Sequence, residues 1–180
     1  MAIERARDLD PLNLVINTDV GVLLANAGRY DEALRQWDRT LELDPAFEMV
    51  FVHRFIAYAL LDNETASIES YLKLQELQGR SADEIAATRA TASRNGLKGI
   101  YRKELADYRA QAKRGETVPF VNIAIFHVLL GENDEAFEYL EKGLARRDAE
   151  MVLIRSDRRF IPLHSDSRYK DLLKRMDLPE

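Results

Sequence analysis

Apolar residues three and four apart run in short bursts along this chain, and a polar, turn-forming cluster closes each burst. Met49, Val52, Ile56, Ala59 and Leu60 make one such stripe, and Val118, Val121, Ile125, Val128 and Leu129 make another. Residues at that spacing share one face of an α-helix. The breaks fall at Gly28-Arg29-Tyr30, Asp62-Asn63-Glu64, Asn95-Gly96-Leu97 and Gly131-Glu132-Asn133. The first three are spaced 34 residues apart, and the fourth lies 103 residues after Gly28, one more than three periods. Leu9-Asp10-Pro11 returns as Leu43-Asp44-Pro45 at the same spacing of 34. The pattern predicts helix-turn-helix pairs over 14–47, 48–79, 82–115 and 117–147. Half a pair precedes them over 1–11, and a tail follows over 148–180.

A period of 34 with helix, turn and helix inside it is the tetratricopeptide spacing. The residues of 14–47 carry the resemblance further. Gly21, Leu24, Gly28, Tyr30, Ala33, Trp37 and Pro45 stand as the tetratricopeptide repeat (TPR) family fills those places. Gly21 and Ala33 are expected to be small because two helix backbones come close there. Leu24, Tyr30 and Trp37 fill the space beside that crossing. Pro45 ends the second helix, because it has no N–H and clashes with the preceding turn. Asn17 departs from the family, which places a large aromatic at that position. In 48–79, Phe55 and Ser67 replace the small pair, and Phe55 is expected to push its two helices apart. The pair over 82–115 is degenerate, with Arg89 and Tyr101 at the small positions. In 117–147 the family pattern returns with Phe120, Ala124, Gly131, Ala136, Phe137 and Leu140.

The tail, from Ser156-Asp157-Arg158-Arg159-Phe160 to Met176-Asp177-Leu178-Pro179, is similar to another family feature. It resembles the closing segment of TPR regions in bacterial signalling proteins that carry an N-terminal cyclase or winged-helix output domain. His164, Ser167, Tyr169 and Asp177 stand where that family form has Arg, Pro, Phe and Gly. The resemblance implies an all-α fold: an α-α superhelix, a right-handed solenoid of helical hairpins closed by a C-terminal helical cap. It also implies that 1–180 is one domain and the scaffold end of a larger regulator. The half repeat at 1–11 cannot bury its apolar face alone, so either the array is cut there or this segment caps it.

Composition narrows the chemistry. The chain has no cysteine, which excludes disulfides and thiolate chemistry. A net charge of −5 lacks the basic footprint of nucleic-acid binding. No window holds the roughly 18 unbroken apolar residues of a membrane span, and no signal-peptide core opens the chain. The expectation is a soluble, cytoplasmic protein with neither a nucleic-acid nor a membrane partner. His53, His127 and His164 are far apart, with no two at metal-ligand spacing, so no metal and no cofactor is expected. His53 and His127 sit in apolar first helices, where a packing role is the default; His164 suggests a hydrogen bond. Asn95-Gly96-Leu97-Lys98-Gly99 follows a helix and reads as a turn, not as a phosphate loop. Asp31-Glu32 and Asp134-Glu135 open second helices, where the helix dipole favours negative charge. The basic residues Arg155, Arg158, Arg159, Arg168, Lys170, Lys174 and Arg175 are interleaved with Asp157, Asp166 and Asp171, which reads as a solvated ion-pair surface. No constellation for an enzyme is present.

What remains is a surface. In the TPR family the first helix of each repeat lines the concave face. The inward positions are then Val15, Thr18, Val22, Ala25 and Asn26, next Met49, Val52, Ile56, Ala59 and Leu60, and last the stripe from Val118 to Leu129. Four exposed aliphatics forgo roughly 6–12 kcal/mol at about 1.5–3 each, against a net domain stability of about 5–15 kcal/mol. Something is therefore expected to cover this face: the chain's own tail, a partner helix, or a second copy of the chain. The expected partner-binding residues are Thr18, Val22, Asn26, Met49, Val52, Ile56 and Leu60. The clamp by which chaperone-adaptor members of the family hold a terminal carboxylate is absent, because Thr18, Val22 and His53 occupy its places. The sequence favours a non-catalytic protein–protein interaction scaffold that docks a protein segment or self-associates. The alternative is an effector-sensing module with a small apolar ligand between the array and its tail.

Overall fold

The computed structural model describes residues 2–178, and among the described residues every regular element is a helix. In chain order these are α1 (Ala2–Leu9), α2 (Leu14–Asn26), α3 (Tyr30–Leu43), α4 (Glu48–Leu60), α5 (Glu64–Leu77), α6 (Ala82–Lys113), α7 (Phe120–Leu130) and α8 (Asn133–Arg146). Two 3-10 turns, Ala149–Leu153 and Arg158–Leu163, lead to α9 (Ser167–Arg175). The helices pack as neighbouring pairs, α2 on α3, α4 on α5 and α7 on α8, as the 34-residue pattern predicts. The contacts divide into two compact units, Met1–Leu97 and Lys98–Glu180.

In the first unit, the hairpin of α2 and α3 closes around Trp37. Its indole Nε1 donates to the Thr18 carbonyl at 3.1 Å, and its ring lies over Gly21. A Cβ on Gly21 would stand 2.1 Å from Nε1. Gly21 is therefore small to seat the indole, where the sequence suggested close backbones. Asn17 is buried, and it ties the hairpin rather than merely varying the pattern. Its amide donates to the carbonyls of Pro11 and Asn13 at 2.8 and 2.9 Å, and its oxygen accepts from Gln36 at 3.0 Å. α3 ends at Leu43, with Asp44 extended ahead of Pro45.

Phe55 does not push α4 and α5 apart. Ser67, fully buried, donates its hydroxyl to the Phe55 carbonyl at 2.7 Å, so α5 reaches the backbone of α4. The Phe55 ring turns onto Tyr71, with centroids 5.0 Å apart. The break expected over Asn95–Gly99 is present at Gly96: α6 is two helical stretches that meet there in a kink, with Gly96 at φ 60° and ψ −155°. That conformation is open to glycine alone. The Glu64 carboxylate fills the space a Cβ would need and accepts from the Leu97 N–H at 2.6 Å.

In the second unit, the tail completes the core that α7 and α8 begin. Met151, Ile154, Phe160, Leu163, Tyr169, Leu172 and Leu173 are all buried in one cluster with Val121, Ile125, Val128, Phe137 and Leu140. Each large side chain so covered contributes about 1.5–3 kcal/mol. The tail is therefore integral to this unit. It contains a short duplication: in Ser156-Asp157-Arg158-Arg159-Phe160 and Ser165-Asp166-Ser167-Arg168-Tyr169 the aspartate caps the following helix and grips the arginine two residues on. The aromatic residue that follows is buried both times.

Candidate functional site

The first-helix faces that the sequence marks as inward have different fates. On α7, Val121, Ile125 and Val128 are buried beneath the tail. That is the internal cover foreseen as one option, and it closes this stripe to a partner. On α2 and α4 the faces remain partly open. α4 packs on α5 and touches both α2 and α3. Val22 and Ala25 of α2 join Val50 and Ala57 of α4 around Trp37. The two first helices thus lie side by side.

The seven expected contact residues separate accordingly. Thr18 is only 2% exposed. Its hydroxyl donates to the Leu14 carbonyl at 2.7 Å, and its own carbonyl is taken by Trp37, so it offers nothing to a partner. Val22 is half-buried and Asn26 is exposed at the end of α2. Met49 stands 47% exposed at the start of α4, and Val52, Ile56 and Leu60 are half-buried along it. The exposed apolar area is smaller than the sequence suggested: one large aliphatic protrudes from α4 and three show their edges. The unrealised burial is correspondingly below the roughly 6–12 kcal/mol of four free side chains.

His53 is half-buried and stacks on Trp37 with centroids 5.8 Å apart and planes 16° apart. Beside it Arg54 pairs with Asp38 of α3, which pins α4 to the first hairpin. His127 is fully buried in the other unit, stacked on Tyr139 at 5.5 Å. Its Nδ1 lies 2.8 Å from a Glu132 oxygen, and the second oxygen meets Arg102 at 2.9 Å. Burial pushes the Glu132 carboxyl up, and hydrogen bonds from His127 and Arg102 outweigh that, holding it below the usual carboxylate range. His164 stacks on Tyr169 at 5.0 Å. Among the described residues no group of three or more His, Asp or Glu stands so as to hold a metal ion.

The interleaved charges of the tail pair as expected. Arg168 meets Asp166 and Asp134, both at 2.8 Å, and Arg175 meets Glu141 at 2.6 Å and Asp171 at 3.3 Å. No helix among the described residues is long and apolar enough to cross a membrane. No protein-family model matches the chain, and no curated protein matches it significantly. The surface of α2 and α4 therefore has to be read from its own chemistry.

Proposed function

We propose that this chain is a non-catalytic protein–protein interaction scaffold of TPR type, a right-handed solenoid of helical hairpins. On the resemblance of its tail, it serves as the C-terminal module of a larger cytoplasmic bacterial regulator. The observation that carries this reading is the partly open aliphatic face of α4, formed by Met49, Val52, Ile56 and Leu60, on a helix that packs against α2. An apolar strip of that width on paired helices suits the apolar edge of a docked helix. The alternative places a small apolar ligand between repeats and tail, but where the tail meets α7 that space holds Ile154, Phe160 and Leu163, each fully buried.

The test is the double variant Val52→Glu, Ile56→Glu. Both side chains are half-buried, so the carboxylates can reach water, and the helical circular dichroism and melting should persist. Self-association by light scattering, or the set of proteins cross-linked to the wild type in its host, should be lost. Unfolding of the double variant would make this face core and sink the proposal. So would unchanged association.

A further inference from the structure

The α4 face leaves one concentration of charge unexplained. Residues 1–97 are on balance acidic, yet four arginines of this unit converge on one cleft between α1, α2 and α3. Arg7 comes from α1, Arg29 from the residue before α3, and Arg35 and Arg39 from successive turns of α3. The cleft has a volume of about 200 Å3. Among the described residues its one lining carboxylate is Glu32, and Arg29 occupies both of that residue's oxygens at 2.6 Å. This pairing holds the Glu32 carboxyl below the usual carboxylate range. Arg7 touches Asp8 at 3.6 Å, beyond hydrogen-bond length. Arg35 and Arg39 make no hydrogen bond to a carboxylate among the described residues.

Like charges one helical turn apart cost about 0.2–0.5 kcal/mol, and guanidinium groups cannot shed their protons to relieve it. Among the described residues the surplus in the cleft is about two positive charges, on Arg35 and Arg39, once Arg29 is set against Glu32 and Arg7 against Asp8. Each free guanidinium presents a planar fork that matches two oxygens of an oxyanion. A carboxylate, with one charge and two oxygens, satisfies one fork. A phosphate monoester, with close to two charges and three terminal oxygens, serves several forks at once. The cleft also holds more than the anion. At about 30 Å3 per water it has room for about seven waters, more than a five-atom oxyanion fills, and Val20 and Leu24 supply an apolar wall.

We propose that the cleft of Arg7, Arg29, Arg35 and Arg39 is a binding site for a phosphate monoester, with the carrier of the phosphate resting on Val20 and Leu24. The carrier is either a small phosphorylated molecule or a phosphorylated side chain of a partner protein. The site shares no residue with the α4 face, so the Val52→Glu, Ile56→Glu variant should bind phosphate as the wild type does.

Calorimetric titration of the full chain with inorganic phosphate, at ionic strength matched with chloride, tests the site. Saturable binding is expected, stronger at pH 7.5 than at pH 5.5 because more of the inorganic phosphate has lost its second proton at the higher pH. Arg35→Ala with Arg39→Ala should weaken it at least tenfold with melting unchanged, since both side chains are exposed. Arg94→Ala, an exposed arginine elsewhere in the unit, should leave it intact. Ribose 5-phosphate and a capped phosphoserine peptide then distinguish the two sources, and the tighter of them names the carrier. Binding no stronger than that of chloride overturns the proposal, as does a double variant that binds like the wild type. If neither carrier exceeds inorganic phosphate, the role given to Val20 and Leu24 is refuted.

Discussion

Replacing Gly21 by alanine puts a methyl group where the Trp37 indole lies, 2.1 Å from Nε1 and 2.6 Å from Cδ1. The ring is held within a closed hairpin, and Trp37 is only 1% exposed, so it cannot swing aside cheaply. Forcing an extra methyl into a packed core costs about 1–3 kcal/mol. Displacing the ring also breaks its bond to the buried Thr18 carbonyl, worth about 0.5–1.5 kcal/mol. The gain from removing a helical glycine offsets about 0.5–1 kcal/mol of this. Gly21→Ala should therefore destabilise the first unit by about 1–3 kcal/mol, a fall in Tm of at least about 4 °C for a unit of this size. Trp37 is the sole tryptophan, so its fluorescence during denaturation reports this hairpin alone. Gly143→Ala is the internal control. Its Cβ would meet the Met151 Sδ at 2.9 Å, and a thioether on three rotatable bonds can yield. It should stay within about 1 kcal/mol of the wild type, followed by far-ultraviolet circular dichroism. If Gly21→Ala proves neutral or stabilising, helix propensity governs that site and the seating of the indole is wrong.

Three further substitutions probe the other packing claims. Asn17→Ala would strand the Gln36 amide and the Pro11 carbonyl, and a loss of about 1–3 kcal/mol in the same fluorescence assay is expected; no loss would refute its role as a tie. Phe160→Ala should cost the second unit about 3–5 kcal/mol and expose its core to a hydrophobic dye, whereas a tail that merely caps would come away without that loss. Tyr169 donates to the Ile154 carbonyl at 2.8 Å, and burial pushes its hydroxyl pKa up to about 12. Because the folded value lies above the unfolded one near 10, its contribution is complete below pH 10 and is lost as the pH rises towards 12. Tyr169→Phe should be less stable than the wild type at pH 8, and its denaturation midpoint should fall less between pH 9.5 and 11.5. Parallel falls would refute the buried hydroxyl.

The helical pairs were legible because period and turn chemistry are local properties of a chain. A stripe at three-and-four spacing that ends in Gly-Arg-Tyr or Asp-Asn-Glu determines a hairpin without reference to distant contacts. What escaped was written in pairs of residues far apart. Phe55 looked disruptive because a bulky residue was set against a rule for one position. The relief came from Ser67, whose hydroxyl reaches the Phe55 backbone, and from Tyr71, which receives the ring. The break at Gly96 was legible, because glycine in Asn-Gly usually marks one, but its long-range partner was not. The helix resumes because Glu64, 33 residues upstream of Leu97, supplies the acceptor that the broken helix lacks.

The candidate surface divides along the same line. Spacing shows which residues share a face; it does not show whether another part of the chain lies on that face. The α4 and α7 stripes are equivalent as sequence, both aliphatic at the same spacing. The difference is that Ile154, Phe160 and Leu163 cover Val121, Ile125 and Val128, while Met49 protrudes. Thr18 fails as a contact for a related reason, because its helical position also faces Trp37, and an indole needs a carbonyl as well as space. The arginine cleft was legible in one part only. Arg35 and Arg39, four residues apart, share one face of α3, but Arg29 joins them from the residue before that helix and Arg7 only through the folding of α1. A cluster assembled from one helix and completed by another is what a repeat pattern hides, since the period explains every residue it touches except those that converge between its units.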